Sequence, residues 1–165
     1  MRLGWLGIWV LGTLVGCDRH HLSREATPGT TAGGLTVEDQ PHGLWIHRYD
    51  NGARKSEGRY DLGKAEGVWV YWDESGRMIK RGENSAGEAH GEWSFFFESG
   101  VMSQRGHYVE GVMDGRWEFW HENGGKMSTG EHLDGERNGR WEFWTEAGDP
   151  EEVHLYENGV LIQKF

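Results

Sequence analysis

A single cysteine, Cys17, stands among 165 residues, so no disulfide can close within the chain. Basic residues are scarce: 17 Lys and Arg face 27 Asp and Glu, a formal net charge of −10. That balance excludes the basic footprint that nucleic-acid binding needs. It also argues against electrostatic attraction to anionic lipid head groups. Apolar residues at helical spacing are nearly absent. The one uncharged, mostly apolar run is Leu3–Val15, too short to span a bilayer, which takes about 20 residues. No Gly-x-Ser-x-Gly elbow, phosphate loop or His-Glu-x-x-His occurs, so neither catalysis nor a cofactor is expected.

What the chain has is a repeat. Glycine recurs every 24 residues at Gly43, Gly67, Gly91, Gly115 and Gly139, and tryptophan follows two residues later at Trp45, Trp69, Trp93, Trp117 and Trp141. Further glycine columns run Gly52, Gly76, Gly100, Gly124, Gly148; Gly58, Gly82, Gly106, Gly130, with His154 in the fifth unit; and Gly63, Gly87, Gly111, Gly135, Gly159. No insertion breaks the register, which is the mark of a repeat architecture. His107, His121, His132 and His154 fall in different columns, so the repeat builds no recurring metal shell.

Each unit reads as a β-hairpin. Trp93–Phe97 is a strand by composition and alternation, and Glu98-Ser99-Gly100 is its turn. In Asp50-Asn51-Gly52 and Glu122-Asn123-Gly124 the Asn-Gly pair signals a tight turn, because both residues tolerate positive φ. A second strand such as Met102–Val109 follows, and Glu110–Gly115 reads as a connection to the next unit. The fold expected is all-β, an elongated meander of stacked antiparallel hairpins. A half-unit at residues 34–42 caps the open edge with Pro41 as a guard, and five units start at residues 43, 67, 91, 115 and 139. Phe165 falls in the tryptophan column and reads as a terminal cap, whereas His154 and Pro150 mark the fifth hairpin as irregular.

The five tryptophans are expected to form one structural ladder, joined on the same face by His47, Tyr71, Phe95, Phe119 and Phe143 two residues on. The glycines Gly58, Gly82, Gly106 and Gly130 leave room for a neighbouring ring. Three residues past each tryptophan lie Arg48, Trp72, Phe96, Trp120 and Trp144. By alternation these point to the opposite face, either as a second packing layer or as an exposed binding stripe through Trp72, Phe96, Trp120 and Trp144. Nearby acids such as Glu118 and Glu142 favour a partner with basic groups.

The N-terminal stretch carries a different signal. Met1–Gly16 has the short charged start and apolar body of a signal peptide. Leu14-Val15-Gly16-Cys17 resembles the bacterial lipobox, which implies cleavage before Cys17 and a diacylglyceryl group on its thiol. Acyl chains would then anchor the chain to a membrane, at about 0.8 kcal/mol per buried methylene. Asp18 resembles the inner-membrane retention signal of enterobacterial lipoproteins, a rule that varies among bacteria, so inner and outer membrane both stay open. Residues 17–33 read as a flexible tether, with His20-His21 a solvated pair rather than a metal site.

The unit G-x-W-x-F/Y-W/F-x-E-N/S-G, with glycines six and then five residues on, resembles the MORN (membrane occupation and recognition nexus) repeat in its bacterial second-variant form, over residues 43–165. The first unit departs from it at Arg48. The resemblance implies a hairpin meander acting as an interaction scaffold, and some bacterial members are described as antitoxin-like. Choline-binding wall repeats are a looser likeness. The function expected is a lipid-anchored scaffold of the cell envelope with a protein partner. The alternative is a module binding cell-wall or surface glycan on its aromatic stripe. Cys17→Ser is expected to move the protein from the membrane to the soluble fraction on cell fractionation; undiminished retention would remove the lipid anchor.

Overall fold

The computed structural model describes residues 23–25 and 32–165. Met1–Gly16 and Cys17 lie outside the described residues. Thirteen strands follow one another: β1 Ser23–Glu25, β2 Ala32–Val37, β3 Gln40–Arg48, β4 Arg54–Asp61, β5 Lys64–Trp72, β6 Met78–Ser85, β7 Glu88–Phe96, β8 Met102–Val109, β9 Val112–Trp120, β10 Lys126–Leu133, β11 Glu136–Trp144, β12 Pro150–Glu157 and β13 Val160–Lys164. Each pairs antiparallel with the next, in a single sheet whose spatial order is the chain order. No helix occurs among the described residues. Thirteen strands at about 4.8 Å spacing make a ribbon of roughly 60 Å.

Two turn types alternate, and they differ from the turns expected. The tight two-residue turns are the ones read as connections. Glu110-Gly111 has φ of 49° and 79°, and the same pair of positive values recurs at Leu62-Gly63, Ala86-Gly87, Asp134-Gly135 and Asn158-Gly159. These values suit the type I′ turn, whose twist matches that of the flanking strands. β9 therefore starts at Val112, and Glu110–Gly115 is no linker. At His121–Gly125 only Gly124 has positive φ. Its N–H donates to His121 O (2.9 Å) while His121 N–H donates to Gly125 O (2.8 Å), a wider turn closed by a glycine bulge. Asn123 serves through its side chain: Oδ1 accepts from Gly125 N–H (2.8 Å), and Nδ2 donates to Glu146 O in the next wide turn (2.7 Å). Asn51 does the same towards Ala53 N–H and Glu74 O.

At the beginning of the sheet, Pro41 lies inside it. β3 pairs with β2 on one side and β4 on the other, and β1 lies beyond β2, so the edge is not at the 34–42 half-unit. β1 itself falls within residues 17–33. The fifth hairpin closes like the rest. Pro150 pairs with Trp144 beside a bulge that every unit has at that place, where a missing N–H is tolerated.

The core is a single row of rings on one face of the sheet. Trp117 and Trp141 are fully buried (0% exposed), Trp69 and Trp93 nearly so (2% and 4%), and Trp45 is half-buried. Each indole lies on the glycine of the preceding strand. A Cβ built on Gly34, Gly58, Gly82, Gly106 or Gly130 would stand under 3.0 Å from three atoms of Trp45, Trp69, Trp93, Trp117 or Trp141 respectively. Every indole Nε1–H then donates to the carbonyl one residue past that glycine, over 2.7–3.1 Å. Bulges make the fit possible. Thr129 pairs with Glu142 and Glu131 with Asn138, so Gly139, Arg140 and Trp141 together face Gly130 alone. Gly139 takes φ 68° to turn the strand there, a conformation that disfavours any side chain.

Between successive indoles stand His47, Tyr71, Phe95, Phe119 and Phe143. Ring centroids run from Trp45 to Phe143 in steps of 5.9–6.5 Å. A further column, Tyr60, Asn84, Tyr108, His132 and Tyr156, flanks the row. Its rings meet the indoles edge-on, as Tyr108 does Trp117 (5.2 Å, 90°) and His132 does Trp141 (5.1 Å, 90°). Asn84 is the one member of this column without a ring, buried with its Nδ2 unpartnered.

His154 replaces the column glycine in the fifth unit, so no ring can lie flat there. Phe165 accordingly does not cap the ladder; it is 70% exposed, and its backbone pairs with that of Val153. His154 closes the row instead, buried against Phe143 (4.5 Å between centroids) and bonded to Glu152 (2.5 Å), whose pKa this contact and Lys164 lower.

Two outcomes follow from this packing. Gly106→Ala is expected to destabilise by about 1–3 kcal/mol through overpacking, and to cost almost nothing further once Trp117→Ala has removed the ring it strikes. A double-mutant cycle by urea denaturation measures that coupling. Burial above all, then Arg137, lowers the His132 pKa below its ordinary 6.5, and burial with Lys55 does the same for His47. The unfolded chain therefore binds protons that the fold excludes, and stability falls as pH drops below about 6.5 towards the folded-state values. His132→Tyr, the residue of its own column, is expected to shallow that loss in thermal melts, leaving the part due to His47.

Candidate interaction surface

The stripe residues end their strands: Trp72 ends β5, Phe96 β7, Trp120 β9 and Trp144 β11. Arg48, in the same column, ends β3 and is exposed. The four aromatics are half-buried and lie across the sheet from the ladder, on the face of Glu118 and Arg105. Of the two expectations for this column, a second packing layer does not form. The sheet is one open layer, and among the described residues nothing packs over this face. The rings are partly covered by their own neighbours. Register places Met78 beside Trp72, Met102 beside Phe96, Lys126 beside Trp120 and Pro150 beside Trp144. The stripe is thus an alternating row of rings and flexible or compact side chains, two strand spacings or about 10 Å from ring to ring. Sequence reasoning missed the Met78, Met102, Lys126, Pro150 column, although its 24-residue spacing was there to be read.

Three acids on this face, Glu57, Glu118 and Glu142, have basic partners. Glu118 accepts from Arg105 Nη2 (2.8 Å) and Lys126 Nζ (3.1 Å), and these contacts, Arg105 first, lower its pKa. The same two cations reach the rings: Arg105 stands 5.8 Å from the Trp120 centroid and Lys126 Nζ 5.7 Å from that of Trp144. Glu142 pairs with Arg140 (3.1 Å) and Glu57 with Arg54 (2.8 Å). Such surface pairs stabilise little, but they neutralise the carboxylates that a basic partner would have met on the face. The acids that flank the stripe in the open are on the wide turns. Asp50, Glu74, Glu98, Glu122 and Glu146 recur at the 24-residue period, all exposed, two residues past each stripe position. Of these, Glu98 has Arg77 at 3.8 Å.

The stripe ends in a cleft of about 270 Å³, lined by Trp144, Pro150, Val153 and Phe165 with Arg140 and Glu142 at its polar side. Phe165, displaced from the ladder, supplies one wall.

Residues 89–110, one hairpin of β7 and β8, match the MORN repeat variant family. That hairpin is a MORN-type repeat. The matched hairpin has the same columns as the units starting at residues 43, 67, 115 and 139, so one hairpin pattern recurs along the ribbon. No curated protein matches the chain. Among solved structures it is similar to a chain of the "GtfA/B complex bound to UDP and GlcNAc", at 9% identity and a TM-score of 0.32, over 86% of this chain. It spans only 28% of that protein, and a likeness so slight carries neither fold nor function.

Proposed function

We propose that this MORN-type repeat protein is a membrane-tethered interaction scaffold of the cell envelope, held by acyl chains on Cys17, that binds a protein partner rather than performing catalysis. The observation that supports this most is the Trp72, Phe96, Trp120 and Trp144 stripe. It is a row of half-covered rings along four units, bordered by the exposed acids of the wide turns. Aromatic rings of this kind supply contact area at low entropic cost and dominate binding energy at interfaces. The acidic rim suits a partner that offers basic side chains outside an apolar centre, and it steers approach over a distance. Neutralising a toxic or regulatory partner, in the antitoxin-like manner implied by some bacterial relatives, is the specific form of this reading.

A second reading has an observation of its own. Beside the rings Glu118 and Glu142 are neutralised by Arg105, Lys126 and Arg140, and the rings recur at about 10 Å. A neutral glycan presenting sugar faces at intervals would find stacking platforms there.

The deciding experiment is affinity capture from detergent-solubilised native membranes with the full chain. A defined protein partner is expected, with capture reduced at least tenfold by Trp120→Ala at unchanged circular dichroism. Recovery of no protein, together with sedimentation of the chain with purified cell wall, would transfer the stripe to the glycan reading.

A further inference from the structure

β13 is the outermost strand of the described sheet, and its composition is inverted relative to its place. In the covered strands of the same type, the residues in register with Ile162 are Glu66, His90, Asp114 and Asn138, all polar. Those in register with Val160 are Gln40, Lys64, Glu88, Val112 and Glu136, polar at every place but Val112. On the outer strand, where proteins place charges to repel another strand, stand Val160, Leu161 and Ile162, exposed by 62%, 41% and 54%. Gln163 also replaces the positive-φ glycine found at Gly67, Gly91, Gly115 and Gly139. The geometry points to β13 as a seam between two copies of this chain, paired antiparallel edge to edge.

A second copy suits this edge better than an unrelated strand because the edge is self-complementary. A two-fold axis through Ile162 sets Ile162 against its counterpart, Leu161 against Gln163 and Val160 against Lys164. Every strand pair already in the sheet is antiparallel, so the junction continues the existing ladder. The charges also agree. Lys164, whose Nζ donates to Glu152 of its own copy (3.1 Å), comes opposite the uncharged Val160 of the other, so no like charges meet across the seam. Alternate backbone N–H and C=O groups on the outer side of β13 would be satisfied, and the apolar side chains would leave water. Five residues make a short seam, so association is expected to depend on concentration. The seam involves none of the stripe residues Trp72, Phe96 and Trp120, so it stands or falls apart from the partner-binding proposal.

The test uses the full chain carrying Cys17→Ser, which removes the native thiol. Adding Ile162→Cys is expected to give a disulfide-linked dimer on mild oxidation in detergent. Val68→Cys, on an exposed residue in mid-sheet (58%), is expected to stay monomeric. Sedimentation equilibrium of the unsubstituted chain should show its mass doubling with concentration, and Ile162→Lys should hold it monomeric with an unchanged thermal melt. A monomer at every concentration, equal cross-linking through Val68→Cys, or a dimer indifferent to Ile162→Lys would overturn the proposal. So would a monomeric edge that captures an extended apolar peptide instead.

Discussion

Everything in this ribbon depends on an indole lying flat on a glycine. The ring belongs to one unit and the glycine to the strand before it, so no unit is complete alone. The contact has three parts that need one another. The glycine supplies a place without a Cβ, the bulge opposite it lets the ring fold down, and the indole N–H takes the next carbonyl along. Remove the glycine and the ring is pushed off the sheet; straighten the bulge and the ring does not reach. A buried indole of this kind stabilises by about 3–5 kcal/mol as judged by truncation. A single hairpin is marginal in water, so stability is shared between neighbours, as in other linear repeats.

That arrangement leaves the two faces with different chemistry. The ladder face is self-sufficient: rings bury rings, with Tyr60, Tyr108, His132 and Tyr156 set edge-on between indoles. The opposite face is a surface. Its rings meet methionine, lysine or proline in place of a second layer, and its ion pairs hold the charged side chains flat beside them. The turns tie successive units together at both edges. Gly87 N–H donates to Ala65 O and Gly111 N–H to Ala89 O at one edge, while Asn51 and Asn123 reach the following turn at the other. Stitched in this way, the stripe is displayed on a backbone with few free groups between the ends, which favours binding by a surface already in place.

The far end follows from one substitution in the pattern. Where four units have glycine, the fifth has His154. Its imidazole fills the space that an indole would need and closes the row. Phe165 is thereby released to the cleft beside Trp144, and β13 departs from the chemistry of its column. The ladder thus terminates while the sheet offers a further edge. Packing and backbone pairing come to an end at different places.

Some of this was legible in residue order alone. A 24-residue period, strand-type composition, and tryptophan and glycine in separate columns determined an all-β meander of stacked hairpins. Alternation also separated Trp117 from Trp120 onto opposite faces. Those features are local, because the direction of a side chain along a strand depends only on its neighbours in the chain. Only the tertiary structure decided that Gly106 meets Trp117, that the tight turn falls at Glu110-Gly111 rather than Asn123-Gly124, that Phe165 leaves the ladder, and that Arg105 and Lys126 neutralise Glu118. Each of these depends on the register between strands, and register is set where bulges place extra residues against a partner strand, a relation between segments that no single segment contains.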